Sequence, residues 1–198
     1  MATTLYLIRH GITEWNIKKK YCGRINVPLS NQGKRQAAKL AKRLTSVEFD
    51  IIYSSNKKRA IQTAGIVFKN KQITQVKELQ EVNFGVMEGL TYKQILKKYP
   101  QDYKKWIKNP YQCCMPQAES LNVFRKRVKK AITQIIKSNR GKTIAVVCHG
   151  GAISIFITAL LKNKNFWEYI PEPTSFSIVE YAKNKPNVKL FNSSEHLR

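Results

Sequence analysis

The chain has few acidic residues. Of its 198 residues, 12 are aspartate or glutamate, and the only aspartates are Asp50 and Asp102. Neither aspartate stands beside another carboxylate or a histidine. A two-metal phosphatase needs several carboxylate or histidine ligands, and a phosphatase with an aspartate nucleophile needs paired aspartates after a strand. The sequence therefore argues against both classes, and we expect neither a metal nor a cofactor.

Cysteine is also scarce. The four cysteines are Cys22, Cys113, Cys114 and Cys148. They form no C-x-x-C pair, so neither a thiolate metal site nor a dense disulfide framework is indicated. Cysteine phosphatases carry an arginine six positions after the cysteine, and no cysteine of this chain has arginine at that spacing. We therefore expect a reduced, cytoplasmic protein.

Other signatures are absent as well. The sequence contains no run of 18 or more apolar residues, which a membrane-spanning helix would require. We therefore expect no membrane partner. No basic stretch followed by an apolar one predicts a signal peptide. Neither G-x-x-x-x-G-K-[ST] nor G-x-G-x-x-G occurs. The phosphate-binding loops typical of nucleoside triphosphate and dinucleotide sites are therefore missing.

Positive charge, in contrast, is abundant. Lysine and arginine number 36, which gives a formal net charge of +24. Most of these residues are lysines spread between the apolar positions of predicted helices, as is typical of a solvated helix face. We expect a positive field that gathers small phosphorylated molecules. A nucleic-acid-binding protein is the alternative from another class, and a salt-dependent DNA-binding assay separates the two.

Two of the three histidines follow a short apolar run and precede glycine. Residues 5–8 lead into Arg9-His10-Gly11, and residues 143–148 lead into His149-Gly150-Gly151. Both runs are rich in β-branched or aromatic residues, which predicts buried parallel strands. Because open α/β sheets bind ligands beyond the carboxyl ends of their strands, we expect both imidazoles and Arg9 in one crevice that suits an anion. The alternative is two core histidines that bond the backbone.

Apolar periodicity predicts strands that alternate with helices. Strands are predicted at residues 5–8, 51–53, 73–76, 143–148, 176–181 and 188–191. Helices with apolar faces are predicted over residues 37–44, 60–68, 121–135 and 152–161. This alternation predicts an α/β fold in three layers, with a mostly parallel central sheet and helices on both faces. We expect one domain over residues 1–198, with a helical or loop lid at about 85–120.

Polar residues predict where three of the helices begin. Ser30 is expected to cap the first helix, and the serines at 54 and 55 the second. Thr91 with Gln94 forms a capping box that opens a short helix, which Pro100 is expected to close.

Histidine is the nucleophile left by these exclusions. A neutral imidazole can attack phosphorus near pH 7. The transferred group also needs cations around its oxygens, and arginine grips two oxygens at once. Arg9 adjoins His10, and Arg59 begins the helix after the second strand, near the same sheet edge. Glu81 is the candidate proton donor for the leaving oxygen, its alternative being an ordinary surface glutamate.

Residues 9–16 read R-H-G-I-T-E-W-N, which resembles the R-H-G-x-T-x-W-N signature of the histidine phosphatase superfamily, the phosphoglycerate-mutase-like group. Further matches span most of the chain and include Gly23, Pro28-Leu29-Ser30, Arg59-Ala60, Glu81 to Gly89, Glu119-Ser120 and His149-Gly150-Gly151. The resemblance implies a metal-independent phosphatase with the phosphoglycerate-mutase-like fold.

The resemblance also implies roles for particular residues. His10 is expected to be phosphorylated, and Arg9, Arg59 and His149 to bind the transferred phosphoryl group. Glu81 aligns with the family's proton donor. The phosphate- and substrate-binding positions further include Asn16, Gly23 and Gly150. Departures from the family pattern are Ile12, Cys22, Asn26, Asn56 and Ala118; they leave the reaction class intact and weaken any transfer of substrate specificity.

Within the superfamily, the short length favours a phosphatase over a mutase. The stretch from Phe84 to Ile95, with Phe166-Trp167 and the C-terminal residues, resembles the α-ribazole-5′-phosphate phosphatases of cobalamin assembly. A broad-specificity phosphatase and a phosphoglycerate mutase are alternatives. A non-catalytic phosphoprotein-binding member would lack His10 or Glu81, and both are present. The expected partner is a small phosphorylated metabolite, and a homodimer is left open.

Overall fold

The computed structural model describes residues 2–163, 165–183 and 185–198. Its strands are β1 (Thr3–Arg9), β2 (Ile51–Ser55), β3 (Ile73–Val76), β4 (Thr143–Cys148), β5 (Phe176–Ala182) and β6 (Lys185–Ser193). Its α-helices are α1 (Glu14–Ile17), α2 (Asn31–Arg43), α3 (Lys58–Val67), α4 (Tyr92–Lys98), α5 (Pro100–Lys108), α6 (Leu121–Ser138) and α7 (Gly150–Leu161). All six predicted strands are present, and β3 and β4 have the predicted bounds.

The strands form one sheet in the order β3-β2-β4-β1-β5-β6. The first four in this order are parallel, whereas β5 runs antiparallel to β1 and β6 antiparallel to β5. Strands β1 and β4 are neighbours, and Arg9 lies opposite Cys148. Their carboxyl ends therefore deliver the next residues, His10 and His149, to the same edge of the sheet.

Helices cover both faces of the sheet, as the alternation of side chains along β4 requires. Ile144 and Val146 point to the face covered by α6 and α7, and Ala145 and Val147 to the face covered by α2 and α3. These four side chains are fully buried. Truncating Ile144 to alanine is expected to cost about 2–5 kcal/mol of stability. The predicted three-layer α/β architecture with a phosphoglycerate-mutase-like fold is confirmed.

Two of the three predicted helix starts are confirmed. The Ser30 hydroxyl accepts from the N–H of Gly33, and Thr91 with Gln94 forms the predicted capping box. The prediction that the serines at 54 and 55 cap the next helix is wrong. Both belong to β2, which continues to pair with β3 and β4, and α3 begins at Lys58 without a side-chain cap.

The segment of residues 85–120 contains more helix than expected. Pro100 follows the end of α4 but also opens α5 as its first residue, where its missing N–H costs nothing. The segment has its own apolar cluster, which includes Met87, Tyr103 and Trp106. Its function as a lid and the one-domain organisation stay predictions. None of the helices in the described ranges combines the length and apolar character that crossing a membrane requires.

Candidate active site

His10 lies one residue beyond β1 and is buried. Its backbone N–H donates to the carbonyl of Cys148 on β4 at 3.0 Å. Its Nδ1 lies 2.7 Å from the carbonyl oxygen of Gly11. Because a carbonyl only accepts, Nδ1 carries the proton and Nε2 carries the lone pair. The imidazole is therefore held as the tautomer whose Nε2 is available as a nucleophile.

Arg59, the second residue of α3, bonds both to His10 and to the loop of residues 23–25. Its fully buried guanidinium donates from Nε to His10 Nε2 at 3.1 Å. Its Nη2 and Nη1 donate to the carbonyls of Gly23, at 2.6 Å, and Ile25, at 2.9 Å. The predicted residue Gly23 thus contributes a backbone carbonyl that orients the arginine.

Glu88 holds this loop in place. Its carboxylate accepts from the backbone N–H groups of Arg24 and Ile25, both at 2.8 Å. A Cβ at Gly23 would collide with the Glu88 carboxylate, so a side chain does not fit there. The bonds from Glu88 to this loop therefore fix the two carbonyls that bind Arg59.

His149 stands beside His10. It is the N-cap residue of α7, is fully buried, and its ring centroid lies 5.1 Å from that of His10. Its Nε2 lies 2.8 Å from the Ser55 hydroxyl at the end of β2. Within the described part of the chain, its Nδ1 has no hydrogen-bond partner. If the hydroxyl donates to Nε2, the proton sits on Nδ1 and can be donated to an anion.

Arg9 lies against Gly150, at the start of α7. Its Nη1 donates to the carbonyl of Pro171, and its buried Nε finds no partner in residues 2–163, 165–183 and 185–198. A Cβ at Gly150 would lie 3.2 Å from the guanidinium carbon. Gly150, another predicted residue, therefore makes room for Arg9.

Glu81 is buried with its carboxylate against the first turn of α7. Its Oε1 accepts from the N–H of Val82 and its Oε2 from that of Gly151, both at 2.9 Å. Burial raises the pKa of this carboxyl, and the two N–H groups oppose that shift only in part. A raised pKa favours the protonated form, which is the form a general acid needs.

Burial acts in the opposite direction on the two histidines. It lowers the pKa of His10 well below 6.5, and the charges of Arg59 and Arg9 lower it further. Burial and the charge of Arg59 likewise lower the pKa of His149. Near neutral pH both imidazoles are therefore uncharged, and His10 keeps its lone pair.

A cavity of about 140 Å³ adjoins these groups. Its polar wall includes Arg9, His10, Asn16 and Glu81. Arg59 and His149 contact His10 from outside this wall. The Oδ1 of Asn16 is engaged by the N–H and the hydroxyl of Thr13, at 3.0 and 2.9 Å, which fixes the amide beside the cavity. The structure thus brings all eight predicted site residues into one region.

Several contacting residues were not predicted from the sequence. Ser55 was assigned to a helix cap, whereas it binds His149. Gly151 holds Glu81, and its place in the His149-Gly150-Gly151 motif was the available signal. Phe84, Phe166 and Trp167 form an aromatic wall of the cavity. The sequence analysis named these aromatic residues only in the resemblance to the α-ribazole-5′-phosphate phosphatases and did not place them in the site.

Residues 5–194 match the model of the histidine phosphatase superfamily, branch 1. The chain belongs to this superfamily, and it is a phosphatase of the histidine type.

Three similar proteins cover nearly the whole chain. Phosphoserine phosphatase 1 of Hydrogenobacter thermophilus is 30% identical over 197 residues, which are 98% of this chain and 93% of that protein. The adenosylcobalamin/alpha-ribazole phosphatase of Escherichia coli is 29% identical over 194 residues, 96% of this chain and 95% of that protein. A mutant phosphoserine phosphatase of Entamoeba histolytica, solved in complex with phosphoserine, has a TM-score of 0.90 and 30% identity, covering 99% of this chain and 100% of that one.

Proposed function

We propose that the protein hydrolyses phosphomonoesters of small metabolites through a phosphohistidine at His10. The observation that carries this proposal is the state of His10, whose Nδ1 is bound to the Gly11 carbonyl and whose Nε2 faces Arg59. A neutral, correctly oriented imidazole next to a guanidinium is what nucleophilic attack on a phosphoryl group requires.

In the first step, Nε2 of His10 forms a bond to phosphorus and the ester P–O bond breaks. The phosphoryl oxygens take over the Nε–H of Arg59, and the Nε–H of Arg9 and Nδ1 of His149 are further donors. Glu81 gives its proton to the leaving oxygen, so that an alcohol is released.

In the second step, water attacks the phosphohistidine. The Glu81 carboxylate takes a proton from the water as the N–P bond breaks, which releases phosphate and restores both residues. Glu81 thus acts first as an acid and then as a base, and its carboxylate form is stabilised by the N–H groups of Val82 and Gly151. No metal-bound water is needed in either step.

α-Ribazole 5′-phosphate, in cobalamin biosynthesis, is the substrate we propose. It is supported by the name of the Escherichia coli relative and by the aromatic wall of Phe84, Phe166 and Trp167, against which a flat heteroaromatic ring can pack. Phosphoserine is the competing substrate, because a relative of similar identity, 30% against 29%, is named a phosphoserine phosphatase. A phosphatase of broad specificity and a phosphoglycerate mutase are the remaining candidates.

The test compares kcat/KM for α-ribazole 5′-phosphate, phosphoserine, 3-phosphoglycerate and p-nitrophenyl phosphate. We expect the first to exceed the others by at least about tenfold. Similar values for all four esters would favour broad specificity, and a preference for phosphoserine would favour that substrate. Isomerisation of 3-phosphoglycerate without release of phosphate would favour the mutase.

We also propose a cytoplasmic location, which the free thiols of Cys22, Cys113, Cys114 and Cys148 support, since thiols persist in a reducing compartment. The sequence leaves a homodimer open, and light scattering tests for it. The expected absence of specific nucleic-acid binding stays a prediction.

A further inference from the structure

Arg127 binds the backbone of the segment that carries Glu81. It lies on α6, and its Nη1 donates to the carbonyls of Glu78, at 2.7 Å, and Gln80, at 2.8 Å. Its Nη2 donates to the carbonyl of Glu81 itself at 3.0 Å. One guanidinium therefore fixes three carbonyls within four consecutive residues.

The same guanidinium forms a two-pronged ion pair with Glu119. Its Nε donates to Oε1 at 2.6 Å and its Nη2 to Oε2 at 2.7 Å. With the three carbonyls, these bonds use all five N–H donors that an arginine has. An arginine with every donor engaged has little freedom to move.

Glu119 is itself held on several sides. Its side chain is 7% exposed, and it also accepts from Arg24 at 3.3 Å and from the N–H of Asn83 at 3.4 Å. Burial alone would raise the pKa of this carboxyl, but the bonds and charge of Arg127 outweigh it and the pKa is lowered. Glu119 is therefore an anion that keeps Arg127 in one orientation.

We infer that Arg127, held by Glu119, is a positioning residue for the proton donor. The N–H groups of Val82 and Gly151 hold the Glu81 carboxylate, whereas Arg127 holds the Glu81 carbonyl. Side chain and main chain are thus fixed separately, and Arg127 determines whether the carboxyl reaches the leaving oxygen. The inference rests on the proposed function, in which Glu81 is the acid.

The test variant is Arg127→Lys. It keeps the positive charge near Glu119 but cannot reach five acceptors, so the Glu81 segment loses its anchor. We expect kcat/KM for 2-glycerol phosphate, an alkyl ester, to fall by about 10- to 100-fold, as a displacement near 1 Å can cause. For p-nitrophenyl phosphate, whose leaving group needs little protonation, the loss should stay below about threefold.

The matched control is Arg125→Lys. Arg125 lies on the same helix, is exposed, and bonds to Asn122 rather than to the Glu81 segment. This control should leave both esters within about twofold of the parent enzyme. A similar loss for the two esters in Arg127→Lys would mean that Arg127 only supports the fold, and would overturn the inference.

Combining Arg127→Lys with Glu81→Gln separates an effect that acts through Glu81 from a general effect on the fold. If Arg127 acts through Glu81, Arg127→Lys should slow the Glu81→Gln variant by less than about twofold further on the alkyl ester. If the double variant instead shows the product of the two single losses in kcat/KM, the inference is contradicted. If Arg127→Lys does not fold, Glu119→Gln should show the same preferential loss on the alkyl ester.

Hydrogen exchange of residues 78–83 gives a measurement that does not depend on turnover. Arg127→Lys should speed exchange there, while Arg125→Lys should not. Unchanged exchange together with unchanged ester selectivity would overturn the inference. If the unmutated enzyme hydrolyses no phosphomonoester, the proposed function is contradicted instead. The exchange data would then still show whether Arg127 holds the backbone of residues 78–83.

Discussion

Arg59 Nε donates to His10 Nε2 across 3.1 Å, so the lone pair of one residue faces the cation of the other. The charge of Arg59 also helps to keep the His10 pKa well below 6.5. The same guanidinium therefore keeps the imidazole unprotonated and stands where phosphoryl oxygens would arrive. When a phosphate enters, the Nε–H of Arg59 exchanges a neutral acceptor, His10 Nε2, for an anionic phosphate oxygen. The hydrogen bond from Arg59 becomes stronger as a result.

Replacing His10 with alanine removes the proposed nucleophile. We expect turnover to fall by at least about a thousandfold, which corresponds to roughly 4 kcal/mol of barrier. Rapid-quench labelling of the unmutated enzyme should yield an acid-labile, base-stable phosphoryl adduct at His10. His196→Ala, at the remaining histidine, serves as the control and should keep turnover within about twofold. Near-normal activity in His10→Ala would rule out the mechanism.

Glu81 and Arg59 should differ in their dependence on the leaving group. Glu81→Gln removes the proton that an alkoxide needs, so alkyl-ester hydrolysis should fall by about 10²–10⁴-fold and p-nitrophenyl phosphate hydrolysis much less. Arg59→Ala removes charge stabilisation that both esters need, so both should slow by similar factors. The measurement is kcat/KM on both esters for each variant. Equal slowing in Glu81→Gln would assign the proton donation to another group.

The pH profile should reflect the two shifted groups. The pKa of His10 is lowered well below 6.5, so the nucleophile stays neutral into the acidic range and is lost only below that lowered pKa. The pKa of Glu81 is raised above 4.5, so the acid is lost as the pH rises through that raised value. For an alkyl ester, kcat/KM should therefore fall on both sides. The alkaline fall should be absent for p-nitrophenyl phosphate and in Glu81→Gln; its persistence there would point to another group.

Activity should not depend on a divalent cation. The proposed nucleophile is a side chain, and among the described residues no group of three or more histidine, cysteine, aspartate or glutamate side chains could hold a metal. Dialysis against a strong chelator should leave kcat unchanged, and vanadate, which mimics the five-coordinate phosphoryl group, should inhibit. Loss of activity that a divalent cation restores would count against the mechanism.

Two helical glycines provide a matched pair of substitutions. A Cβ at Gly151 would collide with the Glu81 carboxylate, whereas one at Gly65 on α3 would meet nothing within 4 Å. Gly151→Ala should lower kcat/KM for the alkyl ester by about 10- to 100-fold. Gly65→Ala should leave activity unchanged and stabilise the fold by about 0.5–1 kcal/mol in a denaturant titration. Unaltered activity in Gly151→Ala would show that Glu81 tolerates displacement.

The sequence predicted the parts of the site that follow from strand periodicity. His10 and His149 were predicted to meet because each follows a buried parallel strand, and β1 and β4 are indeed neighbours. The approximate place of Arg59 followed from its position after β2. Its acceptors, the carbonyls of Gly23 and Ile25, could not be predicted, because a loop's path depends on distant contacts such as those of Glu88.

The errors arose where a local pattern is compatible with two structures. The serines at 54 and 55 resemble a helix cap, but pairing with β3 and β4 extends the strand through them. Pro100 closes α4 as predicted, but it also opens α5, a helix that the sequence analysis did not predict. The Arg127 contacts with Glu78, Gln80 and Glu81 join segments far apart in sequence, and charge pattern alone gives no sign of them.

The position of β4 between β1 and β2 has a consequence for biosynthesis. As the chain leaves the ribosome, β1 and β2 emerge early, yet neither can pair with β4 until residues 143–148 have followed. His10 and Arg59 are therefore made long before the strand that completes their surroundings. Because such non-local pairings form slowly, the appearance of enzymatic activity should mark a late event in folding, and a nascent chain that ends before β4 should be inactive.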